Sequence, residues 1–141
     1  MKTLYLHIGM QKTATSAIQK FLYDNRALLM EKGFKYDRMP FVYDGYSRER
    51  NATFLYKYLL NEEGKPDHEV ISKRRNEGLD IVSEWFGSSD NVILTDETLW
   101  LMLSKPKRRV FEELSSYSKE HGFNVKIVVY QMLDCLGQDT L

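Results

Sequence analysis

Residues 3–8, TLYLHI, form an apolar run of strand length that stops at Gly9, and within six residues a helical rhythm takes over. Ala14, Ala17, Ile18, Phe21 and Leu22 recur at i, i+3, i+4, i+7 and i+8, the spacing of one helix face. A strand that runs through a tight glycine-led loop into an amphipathic helix is half of a βαβ unit, which fixes much of what can follow.

The same alternation recurs along the chain. Gly33 is placed to stop the first helix after Lys32, and FKYD offers a short second strand before Pro40. Residues 41–50 show no period and read as a loop. Ala52, Leu55, Tyr58 and Leu59 predict a second helix, and Leu79, Val82, Trp85 and Phe86 a third, with the last two residues in the core. NVILTDE reads as a buried strand with a polar end; Val110, Phe111, Leu114 and Tyr117 give a helix closed by Gly122, and VKIVVY the last strand. Strands alternating with helices predict one α/β domain over residues 1–141, a three-layer parallel sheet with helices on both faces. Ligands of such sheets bind beyond the carboxyl ends of the strands, so the residues after His7, Thr95–Glu97 and those after Tyr130 are expected at one edge.

Composition narrows the functional classes. Twenty basic residues balance twenty acidic ones, which gives no bulk pull toward nucleic acid or a membrane surface. The longest apolar run, Leu99–Leu103, is far short of a membrane span, and Leu4–Leu6 is too brief for a signal peptide, so a cytoplasmic location is expected. The lone Cys135 allows no intramolecular disulfide, and no Cys/His spacing fits a metal, so none is expected.

Any anion must therefore be recognised locally. Against the phosphate-loop pattern GxxxxGK[ST], the chain offers Gly9, four residues, then Ala14, Thr15 and Ser16; Thr15 takes the usual lysine position and Lys12 lies three residues earlier. Amides at a helix start, the hydroxyls of Thr13, Thr15 and Ser16, and the Lys12 ammonium together suit a phosphate or sulfate. An ordinary capped helix start is the plain alternative.

The stretch HIGMQKTATSAIQ resembles the opening of bacterial sulfotransferase-family domains that use 3′-phosphoadenosine 5′-phosphosulfate (PAPS). The resemblance implies a P-loop NTPase-like fold in which Gln11, Lys12, Thr13, Ala14, Thr15 and Ser16 cradle the donor's 5′-phosphosulfate, with Lys12 catalytic and no metal needed. It implies transfer of a sulfuryl group to a hydroxyl or amine of a carbohydrate, lipid or small molecule. NVILTDE resembles the family's acid-ended strand and also an ATPase acidic motif. Glu97 then reads as the general base, the alternative being an acidic N-cap or first-turn residue of a helix beginning near Thr98. Related domains are longer and carry an arginine and a serine for the 3′-phosphate after the KIVVY strand, where this chain has Gln131 and Met132; the fold is expected to be incomplete at its C-terminus.

His7 falls just beneath the cradle in that resemblance, and reads as a histidine satisfied by backbone or as a catalytic one. Arg48 and Arg50 in YDGYSRER read as solvated surface, with an acidic acceptor or the donor phosphates as the alternative, and the basic runs SKRR and KPKRR likewise, with a sulfated or carboxylated substrate as theirs. Trp100 reads as core or as a wall of the acceptor pocket. Two further functions stay open: a P-loop kinase or ATPase, and a non-catalytic anion-binding module that forms a homodimer through an uncovered sheet face.

Overall fold

The computed structural model of the chain describes residues 1–9, 15–57, 59–103 and 108–129. Four strands, β1 (Thr3–His7), β2 (Phe34–Lys35), β3 (Asn91–Thr95) and β4 (Asn124–Val128), form one parallel sheet in the order β2-β3-β1-β4. The helices are α1 (Thr15–Asp24), α2 (Arg26–Glu31), α3 (His68–Trp85) and α4 (Arg109–His121). This is the expected α/β architecture. Among the described residues no helix is long and apolar enough to cross a membrane.

The strand positions explain the strand sequences. β1 lies between β3 and β4, in register Leu6 with Leu94 and Ile127, and Leu4, Leu6, Val92 and Leu94 are fully buried. A central parallel strand is covered on both sides and so reads as an almost continuous apolar run. Edge strand β4 is different: Ile127 and Val128 are more than two-fifths exposed.

Alternate side chains of β1 and β3 meet different helices. Leu4, Leu6, Val92 and Leu94 enter a core with Leu79 and Val82 of α3 and Val110 and Leu114 of α4. Those two helices also meet directly: Phe86, just past α3, packs on Phe123 at 4.9 Å, Ser83 bonds Tyr117 at 3.0 Å, and Arg75 pairs with Glu113. On the other side, Gln19 of α1 reaches Thr95 of β3. Right-handed crossovers require this division, because the chain moves one way across the sheet from β1 to β2 and the opposite way from β2 to β3 to β4.

Local chemistry sets most boundaries. Asp67 caps α3 by accepting from the amides of Glu69 and Val70, and Gly122 ends α4 in the left-handed region at φ 75°. The expected first helix is broken in two at Asn25, whose side-chain amide donates to the Phe21 carbonyl at 2.8 Å. Asparagine competes for helix carbonyls in this way, and α2 starts afresh after it.

The helix expected from Ala52 is the larger correction. Only a 3-10 turn, Thr53–Leu55, forms there, and Tyr58 lies outside the described residues. The apolar rhythm is real, since Ala52, Phe54 and Leu55 are buried, but the backbone is tied to β3. Asn51 accepts from the Thr95 amide at 2.8 Å and donates to the Ile93 carbonyl at 3.1 Å, while the Ala52 amide donates to Thr95. The Asn51 side chain thus takes over the β3 edge where the two-residue β2 stops.

The 3-10 turn packs on α3 through Phe54 and Gly78. A Cβ at Gly78 would sit inside the Phe54 ring, which is 2% exposed and has nowhere to go. Gly78→Ala gains about 1 kcal/mol of helix propensity but overpacks the core, so a net loss of about 1–2 kcal/mol is expected in urea unfolding. A stabilised variant would show that the ring yields freely.

Candidate functional site

The connection after β1 leads to α1 on one side of the sheet, and the connection after its neighbour β3 leads to α4 on the other. The crevice outside the carboxyl ends of two such strands is where parallel sheets place ligands. His7, Thr95, Asp96 and Glu97 all come from these strand ends.

His7 and Thr95 are register partners, and His7 Nδ1 lies 2.8 Å from Thr95 Oγ1. Gln19 donates to the same hydroxyl at 3.4 Å, and all three residues are over nine-tenths buried. His7 is therefore held by a threonine hydroxyl rather than by backbone, and its Nε2 is buried with no partner among the described residues. Burial holds the imidazole pKa below its ordinary value near 6.5.

That shift has a defined sign. On acidification the unfolded chain takes up the proton first, so this contribution is complete above pH ~6.5 and is lost as the pH falls through the folded value. Wild type is expected to lose stability more steeply than His7→Asn between pH 7.5 and 5.5, by at most the one-proton slope of about 1.4 kcal/mol per pH unit. Urea midpoints measured across that range check it; parallel slopes would contradict it.

Asp96 follows at the end of β3 and is fully buried. Its Oδ1 accepts from Arg50 and from the Thr98 amide, both at 2.8 Å, and its Oδ2 accepts from Thr53 at 2.6 Å and Tyr56 at 3.0 Å. Four donors saturate a carboxylate. Asp96 is thus a structural hub that caps the 3-10 segment Glu97–Leu103, which stands where a helix near Thr98 was expected. Burial and the Asp96 charge together push the Tyr56 hydroxyl pKa well up, keeping it a donor.

Arg50 corrects its own reading as a solvated residue, whereas Arg48 is exposed as expected. Its side chain is 14% exposed, and one terminal nitrogen serves Asp96, Thr98 and Tyr56. Tyr46 lies against it, with the Arg50 guanidinium 4.6 Å and the Lys57 ammonium 4.4 Å from the ring centre. Arg48 bonds the Met39 carbonyl at 3.0 Å. Arg75, in the SKRR run, is likewise buried rather than superficial and donates to the Leu55 carbonyl at 2.8 Å.

Glu97 is half-buried as the first residue of the 3-10 segment, and its charge adds to the field that keeps Arg50 protonated. Thr15 and Ser16 open α1. Gln11, Lys12, Thr13 and Ala14 lie outside the described residues, as do Gln131, Met132 and Cys135. Trp100 is partly buried against the core. Among the described residues no group of three or more His, Cys, Asp or Glu side chains could hold a metal ion.

Sequence reasoning missed Asn51, Gln19 and the pairing of Arg50 with Asp96. Gln19 carried a signal, since it stands three and four residues after Ser16 and Thr15 on the helix face that rises from the loop. Compared with protein-family models and with curated proteins, the sequence matches none, so the functional reading rests on this crevice and on the residues between β1 and α1.

Proposed function

We propose that the chain is a sulfotransferase-like protein of the P-loop NTPase-like class, which binds the 5′-phosphosulfate of PAPS between β1 and α1 and transfers the sulfuryl group to a hydroxyl or amine. One observation carries the reading. The segment GMQKTA connects the carboxyl end of a central parallel strand to the start of a ten-residue helix, at the crevice between oppositely directed crossovers. Helix-start amides have no intrahelical partner, and the helix dipole favours an anion there. The resemblance of HIGMQKTATSAIQ supplies the identity of that anion.

The residues fit such a ligand: Gln11, Lys12, Thr13, Ala14, Thr15 and Ser16 would hold it, and the buried His7 Nε2, without a partner among the described residues, lies at the same sheet edge. PAPS supplies an activated sulfuryl group when bound. Lys12 stabilises the negative charge left on phosphate as the sulfur–oxygen bond breaks, and Glu97 takes the proton of the acceptor as the new bond to sulfur forms. A carbohydrate, a lipid or a small metabolite suits that chemistry.

The kinase or ATPase reading asks for an acid free to hold magnesium, and Asp96 has all its lone pairs engaged. Isothermal titration with adenosine 3′,5′-bisphosphate, and separately with ATP and magnesium, tests the proposal. Preference for the bisphosphate is expected. Indifference to it at millimolar concentration, or magnesium-dependent ATP turnover, would reject the sulfotransferase reading.

A further inference from the structure

Buried polar groups are almost always paired, which makes the His7 nitrogen that has no partner among the described residues a feature that needs a cause. The surrounding bonds decide its tautomer. Thr95 Oγ1 accepts from Gln19 and is fully buried, and the hydroxyl has one proton to give. If it gives that proton to His7 Nδ1, the hydroxyl both accepts and donates and the imidazole carries its hydrogen on Nε2. The other tautomer has Thr95 accept twice and strands its own proton in the interior. The first arrangement leaves one loose end, an N–H at Nε2.

The two nitrogens of an imidazole face widely different directions. With Nδ1 on Thr95 of β3, Nε2 turns away from β3, on the last residue of the strand that leads to Gly9. A buried N–H held in a fixed tautomer is a pre-organised donor. It matches a partner with lone pairs and negative charge, because a hydrogen bond to an anion is about twice as strong as a neutral one. Burial disfavours the imidazolium, so the group offers a neutral donor and no net charge.

We propose that His7 Nε2–H donates a hydrogen bond to an oxygen of a tetrahedral oxyanion bound beyond the carboxyl end of β1, with Thr95 fixing the tautomer and Gln19 holding Thr95. The proposal rests on the anion-binding reading above and adds to it a strand residue outside the helix-start cradle. His7 is then a binding residue, and Thr95 and Gln19 are positioning residues.

Nitrogen-resolved NMR of the histidine ring tests it in the wild-type chain, titrated first with inorganic sulfate and then with adenosine 3′,5′-bisphosphate. The ring is expected as the Nε2–H tautomer, with its Nε2 resonance moving along the sulfate saturation curve. His7→Asn keeps an amide where Nδ1 meets Thr95 but has nothing at Nε2, and should weaken sulfate binding roughly tenfold or more. His7→Gln restores a donor near Nε2 and should recover part of the loss. An Nδ1–H tautomer, an unmoved resonance at saturation, unchanged affinity in His7→Asn, or no binding of either anion would each overturn the proposal. Sulfate binding that moves His7 without any preference for the bisphosphate upholds it while removing the PAPS reading. Bisphosphate binding with His7 unmoved removes this proposal alone. Should His7→Asn fail to fold, the wild-type resonance decides by itself.

Discussion

Replacing Arg50 by methionine is expected to lower the unfolding free energy by about 3–5 kcal/mol, because it leaves the Asp96 carboxylate buried without a counter-charge. Burial works against the Arg50 charge, but the hydrogen bond and charge of Asp96 outweigh it and hold the guanidinium protonated. Methionine keeps most of the side-chain volume, so the loss reports the charge rather than a cavity. Thr53 and Tyr56 go on donating to Asp96, yet neither supplies positive charge.

A double variant separates the worth of the pair from the cost of stranding one partner. Arg50→Met with Asp96→Asn keeps an acceptor for Thr53 and Tyr56 and removes the charge, so it should be clearly more stable than Arg50→Met alone. Urea unfolding of the three proteins measures this. A loss below about 1 kcal/mol in Arg50→Met would mean that water reaches Asp96 and that the hub is not dry. The result bears on the site as well, since Asp96 caps the 3-10 segment that begins with Glu97.

The elements that the sequence made legible are those whose pattern is set by burial on a regular lattice. TLYLHI and NVILT are apolar because they run side by side through the middle of the sheet, and α4 shows its face through Val110 and Leu114 and its end through Gly122. The failures share one cause: a polar side chain bonding to a backbone group or a charge, in the larger cases one far away in sequence. Asn51 reaches 44 residues along the chain to Thr95, and that contact turns a helical-looking rhythm into a 3-10 turn. Arg50 reaches 46 residues to Asp96, and nothing within YDGYSRER distinguishes it from a surface arginine. Asn25 is the local version, where one hydrogen bond to the Phe21 carbonyl divides an otherwise continuous helix pattern. Of the candidate site, the strand ends and the helix start could be placed from sequence, because topology alone delivers them to one edge. The Thr95–His7 bond could not, because it depends on which two strands are neighbours and in what register.

On the sulfuryl-transfer reading, Lys12→Ala should lower the transfer rate by roughly 10²–10³, about 2.7–4 kcal/mol of transition-state stabilisation. Amides and hydroxyls of the cradle bind the donor in its ground state and transition state alike, so they contribute mainly to affinity. The charge that distinguishes the two states appears on the phosphate as the sulfur–oxygen bond opens, and a fixed ammonium meets that charge where neutral donors meet it weakly. The variant should therefore lose kcat by a larger factor than it gains in KM, while Lys12→Arg, which keeps the charge with a different reach, should lie between it and wild type. Adenosine 3′,5′-bisphosphate carries the leaving charge already, so its affinity should fall in Lys12→Ala far more than that of a neutral nucleoside. A kcat that stays at the wild-type value in Lys12→Ala, with only KM raised, would reduce Lys12 to a binding residue and take the leaving-group role from it.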